Sequence, residues 1–121
     1  QKNYSNLVSM SISNLFYEKN RLKFKEQIES LKIEALKTPL QGYIATQEGM
    51  KIRKNRELIL QNRSLKKMMI IGSKDPVLEY NTLIKQTTGT DVKVVEFPDG
   101  HMSHIENMKD LSYNINQFIE K

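Results

Sequence analysis

Three side chains that can accept or hold a proton follow two short segments, predicted to be strands, in the second half of the chain. Asp75 lies three residues beyond Gly72. His101 lies four residues beyond Phe97, and His104 comes shortly after it. If the two segments are neighbouring parallel strands, the loops at their carboxyl ends meet at one edge of the sheet. A carboxylate beside an imidazole fixes one tautomer, orients the ring and stabilises the imidazolium that forms on proton transfer. The pattern therefore indicates two members of a nucleophile–base–acid catalytic device.

Each of these residues also has an explanation that needs no chemistry. Asp75 precedes Pro76, and a loop aspartate in that position often caps the following helix. His101 follows a glycine and could be only a turn residue. His104 could interact with Glu106 in the first turn of the last helix. What favours catalysis is the ordered combination of strand, acidic loop, helix, strand, glycine, histidine and helix.

A metal site is another interpretation of the same region. Its ligands would be Asp99, His101, His104 and Glu106. The His-x-x-His spacing is a weak signal for a metal site. We therefore expect no metal ligand and no cofactor here.

Hydrophobic spacing predicts the elements that would position these residues. Residues 66–72 are a short apolar run closed by a glycine, which is typical of a buried parallel strand, and residues 91–97 are the second predicted strand. A helix over 77–87 should join them as a parallel pair, with Gly89 as the left-handed residue that ends the helix. A last helix is predicted over 106–120. Its apolar face consists of Met108, Leu111, Ile115 and Phe118.

The first half of the chain has helical spacing throughout. The predicted helices cover residues 5–17, 21–37, 39–48 and 54–61. Pro39 should separate the second helix from the third, and Gly49 should break the third. Leu58 and Ile59 should face inward in the fourth. The predicted fold class is therefore α/β, with four helices followed by strand–helix–strand–helix.

The net charge is confined to the helical half. The 121 residues carry a formal charge of +5, and residues 1–61 hold eleven Lys and Arg against six Glu. Residues 62–121 hold eight of each sign. A basic helical module that binds nucleic acid or an acidic partner is the alternative function. A solvated helical surface is the interpretation we favour, because the basic residues alternate with glutamates.

Composition limits the compartment and the class of protein. The chain has no cysteine, which excludes disulfides and cysteine-ligated metals and fits a cytoplasmic location. Its longest apolar run, residues 68–71, is far too short to cross a bilayer. No signal peptide is recognisable, and no membrane partner is expected.

Three segments carry a resemblance to a known family. They are Met69-Ile70-Ile71-Gly72-Ser73-Lys74-Asp75-Pro76-Val77, Val94-Val95-Glu96-Phe97-Pro98-Asp99-Gly100-His101-Met102-Ser103-His104-Ile105-Glu106-Asn107, and residues 45–56. The first two resemble the C-terminal end of an α/β-hydrolase-fold enzyme, in which the last core strands carry the acid and then the histidine of the catalytic triad. The third resembles the end of a helical cap domain that rejoins the core.

The resemblance implies a role for each residue. Asp75 would be the triad acid and His101 the base, while Met102 and His104 would line the binding site. The fold would be a partial α/β-hydrolase fold, with residues 1–61 as the helical cap segment and 62–121 as the C-terminal part of the core. The implied reaction is hydrolysis of esters, amides or related small molecules.

The family's nucleophile is missing from the chain. No serine sits in a Gly-x-Ser-x-Gly elbow, and no oxyanion hole is recognisable. In the family's chain order the nucleophile would lie before Gln1, so the chain is expected to be a C-terminal fragment that is inactive alone. The missing N-terminal half, or a second copy in a homodimer or swapped arrangement, is expected to cover the open edge of the sheet.

Overall fold

Two parallel strands form the sheet of the computed structural model, which describes residues 2–121. Strand β1 covers Met68–Gly72 and strand β2 covers Lys93–Phe97, in a register that pairs Met68 with Lys93 and Gly72 with Phe97. Helix α4, Tyr80–Thr87, lies between them in sequence. Gly89 follows it with φ of 76°, as the glycine's position predicts. The chain is therefore a small α/β fold, and its parallel pairing is confirmed.

Helices α1, Lys2–Ser13, and α2, Lys25–Leu36, pack on each other. A short 3₁₀ turn, Glu18–Asn20, lies between them. Both helices were expected, but α1 ends earlier and α2 begins later than the apolar spacing predicts. The segment between the two helices contains Phe16, whose side chain is fully buried. The core here consists of Val8, Phe16 and Ile28.

Helix α3 covers Leu40–Lys51, and Pro39 at its N-cap separates it from α2 as predicted. The expected break at Gly49 is wrong, since the helix continues to Lys51. A glycine inside a helix costs about 1 kcal/mol relative to alanine, which weakens the helix without ending it. A Cβ at Gly49 would meet nothing within 4 Å, so the position is also free of packing constraints.

The predicted fourth helix is a 3₁₀ turn, Glu57–Gln61. Leu58 and Ile59 do not face inward, because their exposed fractions are 82% and 50%. Leu60 is the half-buried residue of this turn. A 3₁₀ turn repeats every three residues, so it presents a narrower face to the protein than an α-helix does.

Two helices follow β2. Helix α5 covers Ser103–Glu106, and helix α6 covers Met108–Glu120. The predicted last helix is therefore confirmed in type but is preceded by a separate short turn of helix, with Asn107 at the break. The apolar face of α6 is only partly covered: Met108 is 63% exposed and Ile115 is 37% exposed.

The basic helical surface contains local ion pairs. Lysines 32, 37 and 51 each contact a glutamate three residues earlier, at 2.9, 2.6 and 3.3 Å. These contacts neutralise part of the positive charge on α2 and α3. Within residues 2–121, no helix combines the length and the apolar character needed to cross a membrane.

Candidate active site

The side chains of Asp75 and His101 are in contact. His101 Nδ1 lies 2.7 Å from Asp75 Oδ2, at the carboxyl ends of β1 and β2. The predicted meeting of the two loops is therefore confirmed. The Asp75 side chain is only 5% exposed, whereas that of His101 is 36% exposed. A carboxylate without a proton only accepts hydrogen bonds, so the imidazole donates from Nδ1; in the neutral form of the ring, Nε2 is then the nitrogen that can accept a proton.

The second oxygen of Asp75 holds the loop that follows. Oδ1 accepts hydrogen bonds from the backbone N–H groups of Val77 at 2.7 Å and Leu78 at 3.0 Å. Asp75 is thus both a turn residue and the partner of His101. It does not cap α4 itself, because Glu79 is the N-cap and accepts from the N–H groups of Asn81 and Thr82. The hydrogen bond from the Thr82 side chain lowers the pKa of Glu79.

Backbone hydrogen bonds join the acidic loop to the histidine loop. Ser73 N donates to Phe97 O at 2.8 Å, and Lys74 N donates to Asp99 O at 3.0 Å. These bonds extend the pairing of β1 and β2 beyond the ends of the strands. Asp75 and His101 are therefore positioned by the same ladder that makes the sheet.

A buried carboxylate holds the histidine loop from the other side. Glu106 is 9% exposed. Its Oε2 accepts from Gly100 N and its Oε1 accepts from Met102 N, both at 3.2 Å. The N–H of His101 itself donates to Leu15 O at 2.9 Å. Three consecutive backbone N–H groups around the histidine are thus satisfied by only two residues.

The same carboxylate reaches the helical half of the chain. Glu106 Oε2 accepts from Tyr17 N at 3.1 Å and from Asn20 Nδ2 at 2.8 Å. Asn20 Nδ2 also donates to Asp99 Oδ1 at 2.8 Å. Sequence analysis did not predict that Tyr17 and Asn20 bind the Glu106 carboxylate, because no local spacing links them to a residue at least 86 positions away.

Two glycines allow the loops to approach closely. A Cβ at Gly72 would lie 2.1 Å from Gly100 O, and one at Gly100 would lie 2.4 Å from Tyr17 N. Neither space can hold a side chain. The histidine loop is therefore packed between the end of β1 and the backbone that follows α1.

The other predicted residues lie beside the pair. Met102 is half-buried directly after His101, and His104 is exposed on α5. Their expected role in binding stays a prediction. The alternative metal set is not assembled, because both oxygens of Glu106 are occupied by N–H donors. Among residues 2–121, no group of three or more His, Asp or Glu side chains is placed to hold a metal ion.

An open cavity of about 300 Å³ adjoins the acid. Its lining consists of Tyr17, Glu18, Arg21, Lys74, Asp75 and Pro76. The arrangement as a whole can hold the imidazole of His101 in one tautomer, orient it and stabilise it when it gains a proton.

The chain matches no protein-family model and no curated protein.

Proposed function

We propose that this chain is the C-terminal portion of an α/β-fold hydrolase and supplies the acid and the histidine of its catalytic triad. The observation that carries the proposal is the contact of 2.7 Å between His101 Nδ1 and Asp75 Oδ2. Its setting adds support, since each residue follows the carboxyl end of a parallel strand. The ring is partly exposed beside an almost buried acid, so a reacting group from outside the chain can approach it.

In the proposed reaction, His101 moves protons and Asp75 keeps the ring in place. Nε2 takes the proton of a nucleophile, such as a serine hydroxyl, as its oxygen attacks the carbonyl carbon of an ester or amide. The imidazolium then gives that proton to the leaving group. Nε2 next takes a proton from water as the water oxygen attacks the acyl carbon, and the imidazolium returns that proton to the nucleophile oxygen as its bond to the acyl group breaks. Asp75 stabilises the imidazolium in both half-reactions and stays ionised.

The nucleophile in this proposal comes from protein outside the chain. No Gly-x-Ser-x-Gly elbow occurs in the sequence. Within the part of the chain that the structure describes, the hydrogen bond of the His101 ring goes to Asp75 and to no hydroxyl group. Little hydrolysis is therefore expected from residues 1–121 alone.

The exposed apolar side chains and unpaired strand edges of the chain support the proposal that it packs against further protein. The buried apolar side chains of residues 2–121 are Val8, Phe16, Ile28, Ile71 and Phe97, while many large apolar side chains are exposed. Both strands of a two-stranded sheet have an unpaired edge. We propose that a further part of the enzyme, or a second copy of the chain, covers these surfaces.

The test is hydrolysis of p-nitrophenyl acetate by the chain and by the product of its reading frame extended upstream of Gln1. The extended protein should hydrolyse the ester much faster than the chain, whose exposed imidazole groups give only slow background turnover. In the extended protein, His101→Ala and Asp75→Asn should each lower kcat on the order of 10³–10⁴-fold. Asp110→Asn, on the exposed surface of α6, is the matched control and should keep full activity. Undiminished turnover in His101→Ala would refute the proposal.

A further inference from the structure

The backbone around His101 depends on one side chain. The N–H groups of Gly100 and Met102, which flank the histidine, both donate to the carboxylate of Glu106. A shift of this carboxylate must therefore shift the backbone on both sides of the histidine. The imidazole would follow, because its Cα lies between the two anchored peptide groups.

Two donors from the helical half hold the carboxylate in turn. They are Tyr17 N and Asn20 Nδ2. Asn20 uses both hydrogens of its amide, one toward Glu106 and one toward Asp99 of the histidine loop. Glu106 therefore has four N–H partners and is 9% exposed. Hydrogen bonds to a buried carboxylate are about twice as strong as neutral ones, and losing one leaves charge poorly compensated.

We infer that Glu106, held by Asn20, is a positioning residue for His101. It touches no reacting atom and acts through the backbone that carries the imidazole. The inference rests on the proposed function, because positioning matters only if His101 is the base. It also makes residues 15–20, which precede α2, part of the site, since His101 N donates to Leu15 O from the same loop.

The donor pattern explains why a carboxylate is needed at this position. Glutamine has the same shape, but its amide offers only one acceptor oxygen. If that oxygen replaced Oε2, the NH₂ group would face the N–H of Met102. If it replaced Oε1, the NH₂ group would face three donors. Glu106→Gln must therefore release at least one of the two peptide groups that flank His101.

The experiment is ¹⁵N NMR of the imidazole nitrogens of His101 in the full 121-residue chain. The chain has two histidines, so exposed His104 provides an internal reference. In the wild type, the ¹⁵N shifts of His101 should report the Nδ1–H tautomer, with a slowly exchanging Nδ1 proton. Glu106→Gln and Asn20→Ala should move those shifts toward the averaged values of a free imidazole and abolish the slow Nδ1 signal. Asn114→Ala is the matched control, because its amide donates within α6 to Asp110 O at 2.8 Å.

A purely structural role predicts a different result. In that case both variants would lower Tm, while His101 in the folded protein kept its wild-type tautomer and proton exchange, and the inference would be overturned. If Glu106→Gln does not fold, Asn20→Ala decides, since it removes one of the four bonds to the carboxylate. The ¹⁵N NMR measurement does not depend on enzymatic activity. Failure of the extended protein to hydrolyse esters would refute the proposed function without affecting this measurement.

Discussion

Asp75 and His101 meet at 2.7 Å across 26 residues of sequence. The parallel register explains the contact, because it pairs Gly72 with Phe97 and so brings the two following loops to one edge of the sheet. The loops are then joined by further backbone hydrogen bonds, which include Ser73 N to Phe97 O. The contact is thus a consequence of strand pairing and is not a chance approach of two surface side chains.

Asp75→Asn should reverse the tautomer of His101 without disturbing the turn. The asparagine oxygen can still accept from Val77 N and Leu78 N in place of Oδ1. Its NH₂ group then faces His101 Nδ1 and donates to it, so the ring proton moves to Nε2. The ¹⁵N shifts of His101 should change from the Nδ1–H to the Nε2–H pattern, while the amide shifts of β1 and β2 stay in place.

Asp75→Ala separates the two tasks of the acid. It removes the acceptor of the turn as well as the partner of the histidine, so it should destabilise the chain by about 1–2 kcal/mol in urea unfolding. Asp75→Asn should remain close to wild type in the same measurement. Equal destabilisation by the two variants would show that Oδ1 does not support the turn.

Much of this site could be predicted because its elements are local. Strand β1 is an apolar run that ends at a glycine, and α4 and α6 follow helical spacing, so these elements are visible in short windows of sequence. Which loops meet follows from the rule that the carboxyl ends of neighbouring parallel strands lie at the same edge of the sheet. The approach of Asp75 to His101 could be predicted from these elements and this rule together.

The parts that could not be predicted depend on long-range contacts. Asn20 reaches Glu106 across 86 residues, and neither residue belongs to a pattern that indicates the other. Glu106 was interpretable as a metal ligand until its four donors were known. The inward orientation expected for Leu58 was wrong for a different, local reason, since the segment is a 3₁₀ turn and the type of helical turn decides which side chain faces the protein.

Gly100→Ala should destabilise the chain by about 3 kcal/mol, because the new Cβ would lie 2.4 Å from Tyr17 N. Gly49→Ala makes the same chemical change on α3, where a Cβ meets nothing within 4 Å. That variant should stabilise the chain by about 0.5–1 kcal/mol through helix propensity. Urea unfolding measures both. Similar values for the two variants would contradict the close approach of the histidine loop to Tyr17.

Asp91 should contribute to the loss of stability in acid. The hydrogen bond from Lys67, at 2.7 Å, lowers the pKa of Asp91 below its ordinary value of 3.8. A lowered folded-state pKa stabilises the fold above the unfolded value, and this contribution disappears as the pH falls through the folded-state pKa. Asp91→Asn should therefore have a lower Tm than wild type at neutral pH, and the difference should shrink as the pH falls through the lowered pKa of Asp91. A difference for Asp91→Asn that stays constant as the pH falls would contradict the prediction.

The exposed face of α6 should make the chain self-associate when it is expressed alone. Ile115 and Ile119 are one helical turn apart and are 37% and 73% exposed. Neighbouring apolar side chains of this kind favour association, because each buried isoleucine contributes about 1.5–3 kcal/mol. Sedimentation velocity at micromolar concentration should detect a dimer, and Ile115→Glu with Ile119→Glu should shift it toward monomer at least tenfold in Kd. Ser112→Glu with Asn116→Glu adds the same two charges to the same helix at exposed polar positions and should leave the dimer in place. A monomeric wild type that unfolds cooperatively would contradict the prediction, since it would show that the apolar faces of the chain are stable in water without a partner.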